Sequence, residues 1–253
     1  MIIDCISDLH GHYPKLEGGD LLIVAGDLTR TDKADDYVEG FQPWLDSLDY
    51  KNKIIIAGNH DNLLQKGISV FTRINNLGNP IDMHFFLPIL RCKYLCDSGT
   101  ELEWEEVSDK EWGSREGSLG IVPYKKKKFK IWGSPWTLRF EGMNPRCMAF
   151  TCETEEELAK KWALIPDDVD ILVTHSPPYG IKDRTIDGEF VGSETLAYHV
   201  GSMQNPPKLW VWGHIHESYG RDKPVRGKPC IMVNASHVNE RYEPVNKPIR
   251  IEL

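Results

Sequence analysis

Short apolar runs, each broken at once by polar residues, recur along this chain. The run 2–6 leads into Ser7-Asp8-Leu9-His10, 21–25 into Gly26-Asp27, and 54–57 into Gly58-Asn59-His60-Asp61. Farther on, 171–173 leads into Thr174-His175-Ser176-Pro177-Pro178, 209–212 into Gly213-His214-Ile215-His216, and 231–233 into Asn234-Ala235-Ser236. The runs are short, rich in Ile and Val, and apolar on both faces, which is how strands covered on both sides read. Helical patterns lie between them. Tyr37, Val38, Phe41, Leu45 and Leu48 recur at spacings of one, three and four, which predicts a helix over 34–48. Thr154-Glu155-Glu156-Glu157 has the form of a capping box and predicts a helix through Leu158, Trp162 and Leu164. A further helix is expected over 192–200. This alternation argues for a layered α/β core.

The stretch 93–130 departs from the pattern. Scattered Trp, Glu and Gly with the lysine run 125–128 predict hairpins joined by a long loop. The lysines read as a solvated hairpin edge, where charge also discourages edge pairing, in preference to a phosphate-binding patch.

In sheets of this class ligands bind beyond the carboxyl ends of the strands. Asp8, His10, Asp27, Asn59, His60, His175, His214 and His216 all follow apolar runs, so neighbouring strands would bring them to one rim. A lone His at such a place is usually structural; five separate clusters at the same relative position point to a metal site. With His60 set aside, two carboxylates, four imidazoles and an amide oxygen exceed the needs of one ion and suit two divalent ions sharing a carboxylate. The mixture favours Mn, Fe, Zn or Co over Ca or Mg. Two such ions about 3.5–4 Å apart can clamp the attacking and leaving oxygens of a phosphoryl displacement, with a water between them acidified into the nucleophile.

Composition narrows the setting. Hydrophobic residues at 40% and charged residues at 27% exclude a mainly disordered or collagen-like chain. No apolar run approaches the roughly 18 residues of a spanning helix, so no membrane is expected. Met1-Ile2-Ile3-Asp4 lacks a basic n-region, which speaks against a secretory signal and for a cytoplasmic protein. The net charge of −8 opposes loose binding to extended nucleic acid while leaving room for a local phosphate pocket. The six cysteines read as reduced thiols, and Cys92-x-x-x-Cys96 has no second pair at zinc-ribbon spacing. With no repeat and no linker, the 253 residues read as one domain over 1–253, with an insertion near 103–128.

The blocks together resemble the calcineurin-like metallophosphoesterase superfamily, whose pattern is Asp-x-His, Gly-Asp, Gly-Asn-His-Asp/Glu, a lone His and Gly-His-x-His. All five stand in order between Asp8 and His216. The resemblance implies an α/β fold, a two-sheet β-sandwich flanked by helices. It implies one metal held by Asp8, His10, Asp27 and His216, and a second held by Asp27, Asn59, His175 and His214, with Asp27 bridging. His60 would face the phosphate as general acid or as a donor to developing charge, Asp61 would orient His60, and Asn59 would add an amide hydrogen bond to a phosphoryl oxygen. Two divalent ions are expected, Mn foremost, with Fe, Zn, Co or Ni as the others.

Blocks outside the ligands carry a closer resemblance. Tyr94-Leu95-Cys96-Asp97-Ser98, Trp132-Gly133-Ser134-Pro135-Trp136, His175-Ser176-Pro177-Pro178, Gly213-His214-Ile215-His216-Glu217 and Asn234-Ala235-Ser236 are similar to the metallophosphoesterase-domain family first described from brain. That family is associated with cyclic-nucleotide phosphodiesterase activity and binding of nucleoside monophosphates. Some members carry Gly where this chain has His214, which implies that this chain keeps both metals. Arg30 stands where purple acid phosphatases need a Tyr ligand, against that branch. The segment 103–128 looks longer than the family's passage and would form either a lid or a hairpin directed away from the site.

The expected function is therefore dinuclear-metal-dependent hydrolysis of a small phosphodiester, a cyclic nucleotide first, by attack of a metal-bridging hydroxide. The alternatives are a nuclease, a protein or phosphomonoester phosphatase on the same core, or a non-catalytic scaffold. Oligomeric state is left open. Among the remaining residues, His12 and His237 would either reach substrate or hold their loops, and His84 and His199 read as structural. Trp136 would stack on a base or pack in the core, and Trp210 and Trp212 read as core. Cys5 reads as a small buried residue, and Pro177-Pro178 as a stiff exit from His175.

Overall fold

A computed structural model describes residues 1–66, 72–74, 80–82, 92–107, 124–140, 142–222 and 230–253. His84 and positions 108–123 of the expected insertion lie outside the described residues. In one sheet, β1 (Ile2–Ile6), β2 (Gly19–Ala25), β3 (Tyr50–Ile56) and β4 (Lys93–Tyr94) run parallel. The second sheet holds β5 (Ser98–Val107), β6 (Tyr124–Ser134), β7 (Ile171–Thr174), β8 (Leu209–Trp212), β9 (Gly220–Asp222) and β10 (Ile231–Asn234). Strand β11 (Ile249–Glu252) returns to pair antiparallel with β1. The strand orders are β11-β1-β2-β3-β4 and β9-β10-β8-β7-β6-β5.

Side-chain alternation explains why these runs are apolar on both faces. In β2, Leu21, Ile23 and Ala25 point between the sheets with Ile171, Val173, Leu209 and Val211, while Leu22 and Val24 point outward to Tyr37, Phe41 and Leu45. The second sheet does the same: Leu172, Trp210, Trp212 and Met232 face Leu158, Trp162, Leu196 and Val200. The result is four layers, helix, sheet, sheet and helix, as expected. Each fully buried side chain of this kind contributes about 1.5–3 kcal/mol. Asp4 is the exception on the outer face of β1. It is buried and accepts from Arg250 through Nε at 2.9 Å and Nη2 at 2.8 Å, and from the Tyr50 hydroxyl.

Among the described residues the α-helices are α1 (Gln42–Ser47), α2 (Asn62–Lys66), α3 (Glu155–Trp162) and α4 (Glu194–Ser202). Two differ from expectation. The helix over 34–48 widens into a π turn over Asp36–Phe41 and then tightens into α1, with Pro43 in the first turn of α1, where its missing N–H is not needed. Val38 consequently turns outward and is exposed, while Tyr37, Phe41 and Leu45 are buried. The helix opened by Thr154 stops at Trp162, so Leu164 is exposed and Ile165 takes the buried place. Its cap is the expected one in part: Thr154 Oγ1 accepts the Glu157 N–H at 3.3 Å, but the Glu157 carboxylate accepts from the Glu153 N–H at 2.8 Å, one residue before the usual target. No helix among the described residues is long and apolar enough to cross a membrane.

Strands β5 and β6 pair antiparallel from Ser98–Gly133 to Val107–Tyr124, forming one long hairpin. Its start is fixed by the pairing of β6 with β7, in which Ile131 meets Ile171 and Ser134 meets Thr174. Residues 124–130 therefore project past the amino end of β7, roughly 20 Å at a strand's rise per residue. The described part of the 103–128 segment leads away from the carboxyl ends of the strands, so it is a hairpin extension there and not a lid. Glu101, Glu103 and Glu105 lie opposite Lys130, Lys128 and Lys126, an alternating charge ladder that accounts for these lysines without a phosphate.

Candidate metal centre

Strands β1, β2, β3, β7, β8 and β10 all deliver their carboxyl ends to one edge of the sandwich. The chain turns sharply as it leaves them. Asp8, His10, Asp27 and His214 have φ of 51°, 43°, 55° and 71°, the left-handed region that costs a residue with a Cβ about 1 kcal/mol or more. Such a turn swings the side chain off the strand's alternating faces and into the gap between the sheets. The glycines of the motifs make room for it. A Cβ on Gly58 would stand 2.2 Å from Asp27 Oδ1 and 2.6 Å from His175 Nε2, and one on Gly213 2.2 Å from Asp8 Oδ2.

The side chains converge as two overlapping groups. His10 Nε2 is 3.3 Å from His216 Nε2 and 3.6 Å from Asp27 Oδ2, and His216 Nε2 is 3.5 Å from Asp8 Oδ1. On the other side, Asn59 Oδ1 is 3.1 Å from His175 Nε2 and 2.9 Å from His214 Nδ1, and His175 Nε2 is 3.5 Å from Asp27 Oδ1. Asp27 belongs to both groups, one oxygen turned to each. Ligand atoms of Asp8, His10 and His216 lie within 4.8 Å of one another, as do those of Asp8, Asp27 and His175.

Hydrogen bonding on the far side of the rings shows what faces inward. His175 Nδ1 lies 2.7 Å from the Ala25 carbonyl and His216 Nδ1 3.2 Å from the Asn239 carbonyl. A carbonyl can only accept, so both Nδ1 atoms carry hydrogen. In the neutral rings each Nε2 then presents a lone pair. That of His175 meets the oxygens of Asn59 and Asp27; that of His216 meets His10 and Asp8. Asn59 is oriented by its own amide, which donates to the Cys147 carbonyl at 3.0 Å and leaves Oδ1 turned inward. Lone pairs facing lone pairs demand a positive species between them, either a second proton on the ring or a cation. A ring nitrogen held by a backbone carbonyl is also the usual outer support of a metal-ligating histidine.

The charges agree. Burial would raise the carboxyls of Asp8 and Asp27, but His216 beside the first and His175 beside the second outweigh it and hold both below the usual carboxylate range. Burial likewise opposes the charged form of His175, yet Asp27 outweighs it and pushes the ring up to about 9. Burial pushes His214 down to about 3 and His10 down to about 4, leaving both rings neutral at pH 7.

His60 stands at the open side, 22% exposed, with Nε2 3.8 Å from Asp27 Oδ2. No hydrogen bond among the described residues joins the His60 ring to Asp61. The Asp61 carboxylate accepts backbone N–H groups of Gly58 at 2.7 Å, Asp27 at 2.9 Å and Leu28 at 3.1 Å, and the Tyr37 hydroxyl at 2.9 Å. The His60 ring is instead met by Cys147, whose Sγ is 3.3 Å from Nδ1. Cys147 carried no signal in the sequence, because it stands in no motif and far from every other block.

Asn234-Ala235-Ser236 supports the site: the one Ser236 hydroxyl hydrogen is shared between Asp8 Oδ2 at 2.7 Å and Asn234 Oδ1 at 2.8 Å. His237 holds its loop through the Asn246 carbonyl, 2.7 Å from Nδ1. His12 belongs to none of the converging groups of ligand atoms among the described residues, and His199 lies in the outer layer on α4. Trp136 is a packing residue. Its Nε1 donates to Asp97 at 2.7 Å, the Lys161 ammonium sits 3.6 Å over its ring, and Phe150 meets it edge-on. Tyr242, which no motif marks, lies against His10 and His216.

Comparison with known proteins agrees with this geometry. The family model of the calcineurin-like phosphoesterases matches residues 1–218. Metallophosphoesterase domain-containing protein 1 of Homo sapiens, and that of Mus musculus, are each 33% identical over 261 residues, covering 98% of this chain and 70% of the relative. A UPF0046 protein of Caenorhabditis elegans is 29% identical over 252 residues, covering 98% of this chain and 59% of its own. One solved crystal structure superposes with a TM-score of 0.53 at 14% identity, over 92% of this chain and 89% of that one, a likeness of fold alone.

Proposed function

The chain belongs to the calcineurin-like phosphoesterase family, and from that premise we propose that it is a dinuclear-metal phosphoesterase acting on a small phosphodiester, a cyclic nucleotide first. The observation that carries the reading is the convergence of lone pairs, with the Nδ1 atoms of His175 and His216 tied to backbone carbonyls and their Nε2 atoms turned on carboxylate and amide oxygens. The donor set fits two cations. Asp8, His10, Asp27 and His216 would hold one, and Asp27, Asn59, His175 and His214 the other. Manganese is the first expectation, in line with imidazole mixed with carboxylate and no thiolate.

Bound there, the ions would supply Lewis acidity to the phosphoryl oxygens and acidify water. The chain's own groups do the rest. Asp27 places one oxygen on each side and so sets the spacing of the two halves. His60 Nε2 faces the open side, where a phosphoester enters, and is the group positioned to hand a proton to the departing oxygen. Burial, with Asp27 and Asp32 nearby, pushes the Cys147 thiol up to about 11, so it stays protonated at neutral pH, and its sulfur lies where it can accept from the Nδ1–H of the ring that acts as the acid. With Nδ1–H held there, Nε2 is the nitrogen from which the proton leaves. The blocks shared with the brain-derived family and the net charge of −8 favour a small nucleotide over extended nucleic acid.

The test is a metal-reconstituted assay on 2′,3′- and 3′,5′-cyclic nucleotides, single-stranded DNA, a phosphopeptide and simple monoesters. Chelator-sensitive turnover of a cyclic nucleotide is expected, with His60→Ala lowering kcat while bound metal is retained. Turnover confined to DNA or phosphopeptide would move the substrate class, and a full metal complement without turnover of any ester would leave a scaffold.

A further inference from the structure

The loop 238–246 is tied to the centre at both ends. The Asn239 carbonyl takes the Nδ1 of His216 at 3.2 Å, and Asn246 Nδ2 donates to the Ser236 carbonyl at 3.0 Å. Between these anchors the chain is folded tightly on itself. Tyr242 N–H donates to the Asn239 carbonyl and Asn239 N–H to the Glu243 carbonyl, both at 2.9 Å. Asn239 Oδ1 accepts from the N–H groups of Arg241 and Glu243, also at 2.9 Å. These bonds hold Tyr242 at φ 61°, a conformation a residue with a Cβ rarely adopts.

The strained turn aims the ring at the metal centre. Its centroid lies 4.8 Å from that of His10 and 5.2 Å from that of His216, both edge-on, and 6.3 Å from that of His60. Among the described residues it is the one ring, besides the histidines themselves, in contact with these three. Yet 48% of Tyr242 is exposed. A ring that only sealed the wall would be covered. This one is fixed against the ligands by a loop that His216 itself anchors, and it keeps open surface at the mouth.

A phosphoester bound at the centre has few ways to lie. Asp8, Asp27 and His175 are buried and close the inner side. The phosphorus must sit beside His60, and the organic group must point outward, past Tyr242. An aromatic face there favours a flat partner and is indifferent to which base it meets. We propose that Tyr242 is the platform on which the planar organic group of the substrate, a nucleobase or aryl ring, packs, so that the site prefers aromatic esters to alkyl ones. The proposal rests on the phosphoesterase reading above.

Calorimetric titration of the manganese-loaded protein with adenosine monophosphate, and separately with inorganic phosphate, tests it. Tyr242→Ala is expected to weaken nucleotide binding about tenfold, the scale of one base–aromatic stack, with phosphate affinity and bound manganese unchanged. Tyr242→Phe keeps the ring and should rescue nucleotide binding. Equal nucleotide affinity in wild type and Tyr242→Ala would overturn the platform, as would a parallel loss of nucleotide and phosphate. A loss in Tyr242→Phe as deep as in Tyr242→Ala would assign the effect to the hydroxyl and overturn it too. Failure of the underlying reading is distinguishable: wild-type protein with metal bound would then take up neither ligand and hydrolyse no ester.

Discussion

The backbone N–H of Asp27 donates to the Asp61 carboxylate at 2.9 Å, so the residue shared by both halves of the centre is held from behind by the last residue of the Gly-Asn-His-Asp block. The same carboxylate takes the N–H groups of Gly58 and Leu28. Asp61 thus staples the turn after β2 to the turn after β3. Asp61→Ala orphans three buried donors and should destabilise the protein by about 3 kcal/mol or more, and it should release metal as well. Urea denaturation and elemental analysis check both. Were Asp61 an orienting partner of His60, only kcat would fall.

Gly58→Ala is expected to empty the centre while leaving the sandwich folded. The added methyl would stand 2.2 Å from Asp27 Oδ1 and 2.6 Å from His175 Nε2, and both side chains are buried. Circular dichroism near that of wild type with bound manganese reduced severalfold is the outcome expected; full occupancy would mean that the turn can shift.

Cys147→Ala removes the contact to His60 Nδ1 and should lower kcat roughly tenfold, a fraction of the full general-acid contribution, with KM and metal content unchanged, while Cys147→Ser recovers part of the loss. The thiol also has a distinctive pH dependence. Since burial, Asp27 and Asp32 push it up to about 11, its thiolate is scarce at pH 7 and grows with pH. Alkylation of Cys147 by iodoacetamide should therefore rise about tenfold per pH unit from pH 7 to pH 10, read by peptide mass spectrometry. A plateau near pH 8 would contradict the protonated thiol.

Arg250→Met tests the support under β1. The guanidinium makes a two-pronged contact with the buried Asp4, and removing it leaves that carboxylate without its cation. A loss of about 2–4 kcal/mol is expected, since Arg250 itself is partly exposed. Asp4→Asn in the same chain should return part of it, measured by chemical denaturation.

Much of this architecture is legible in the sequence. The runs 2–6, 21–25, 54–57, 171–173, 209–212 and 231–233 became β-strands with small changes at their ends. Periodicity sees burial, and strands covered on both sides leave the strongest trace of it. Val38 and Leu164 depart from the apolar pattern because local backbone geometry, a π turn in one case and a helix end in the other, turns them to solvent. The direction of the β5–β6 hairpin depended on its register against β7, which composition does not encode.

The chain's order of residues sufficed to name the side chains that meet at the edge of the sandwich, because turns at parallel strand ends need Gly, Asp and Asn in recognisable places and a polar cluster after each strand repeats the same chemistry. It could not say which outer groups hold them. Asp61 lies next to His60 in sequence yet binds the backbone of Asp27, while Cys147 and Tyr242 reach His60 and His10 from loops far along the chain. Those partnerships are contacts across folded distance, set by how two sheets and their loops pack, and local pattern carries no record of them.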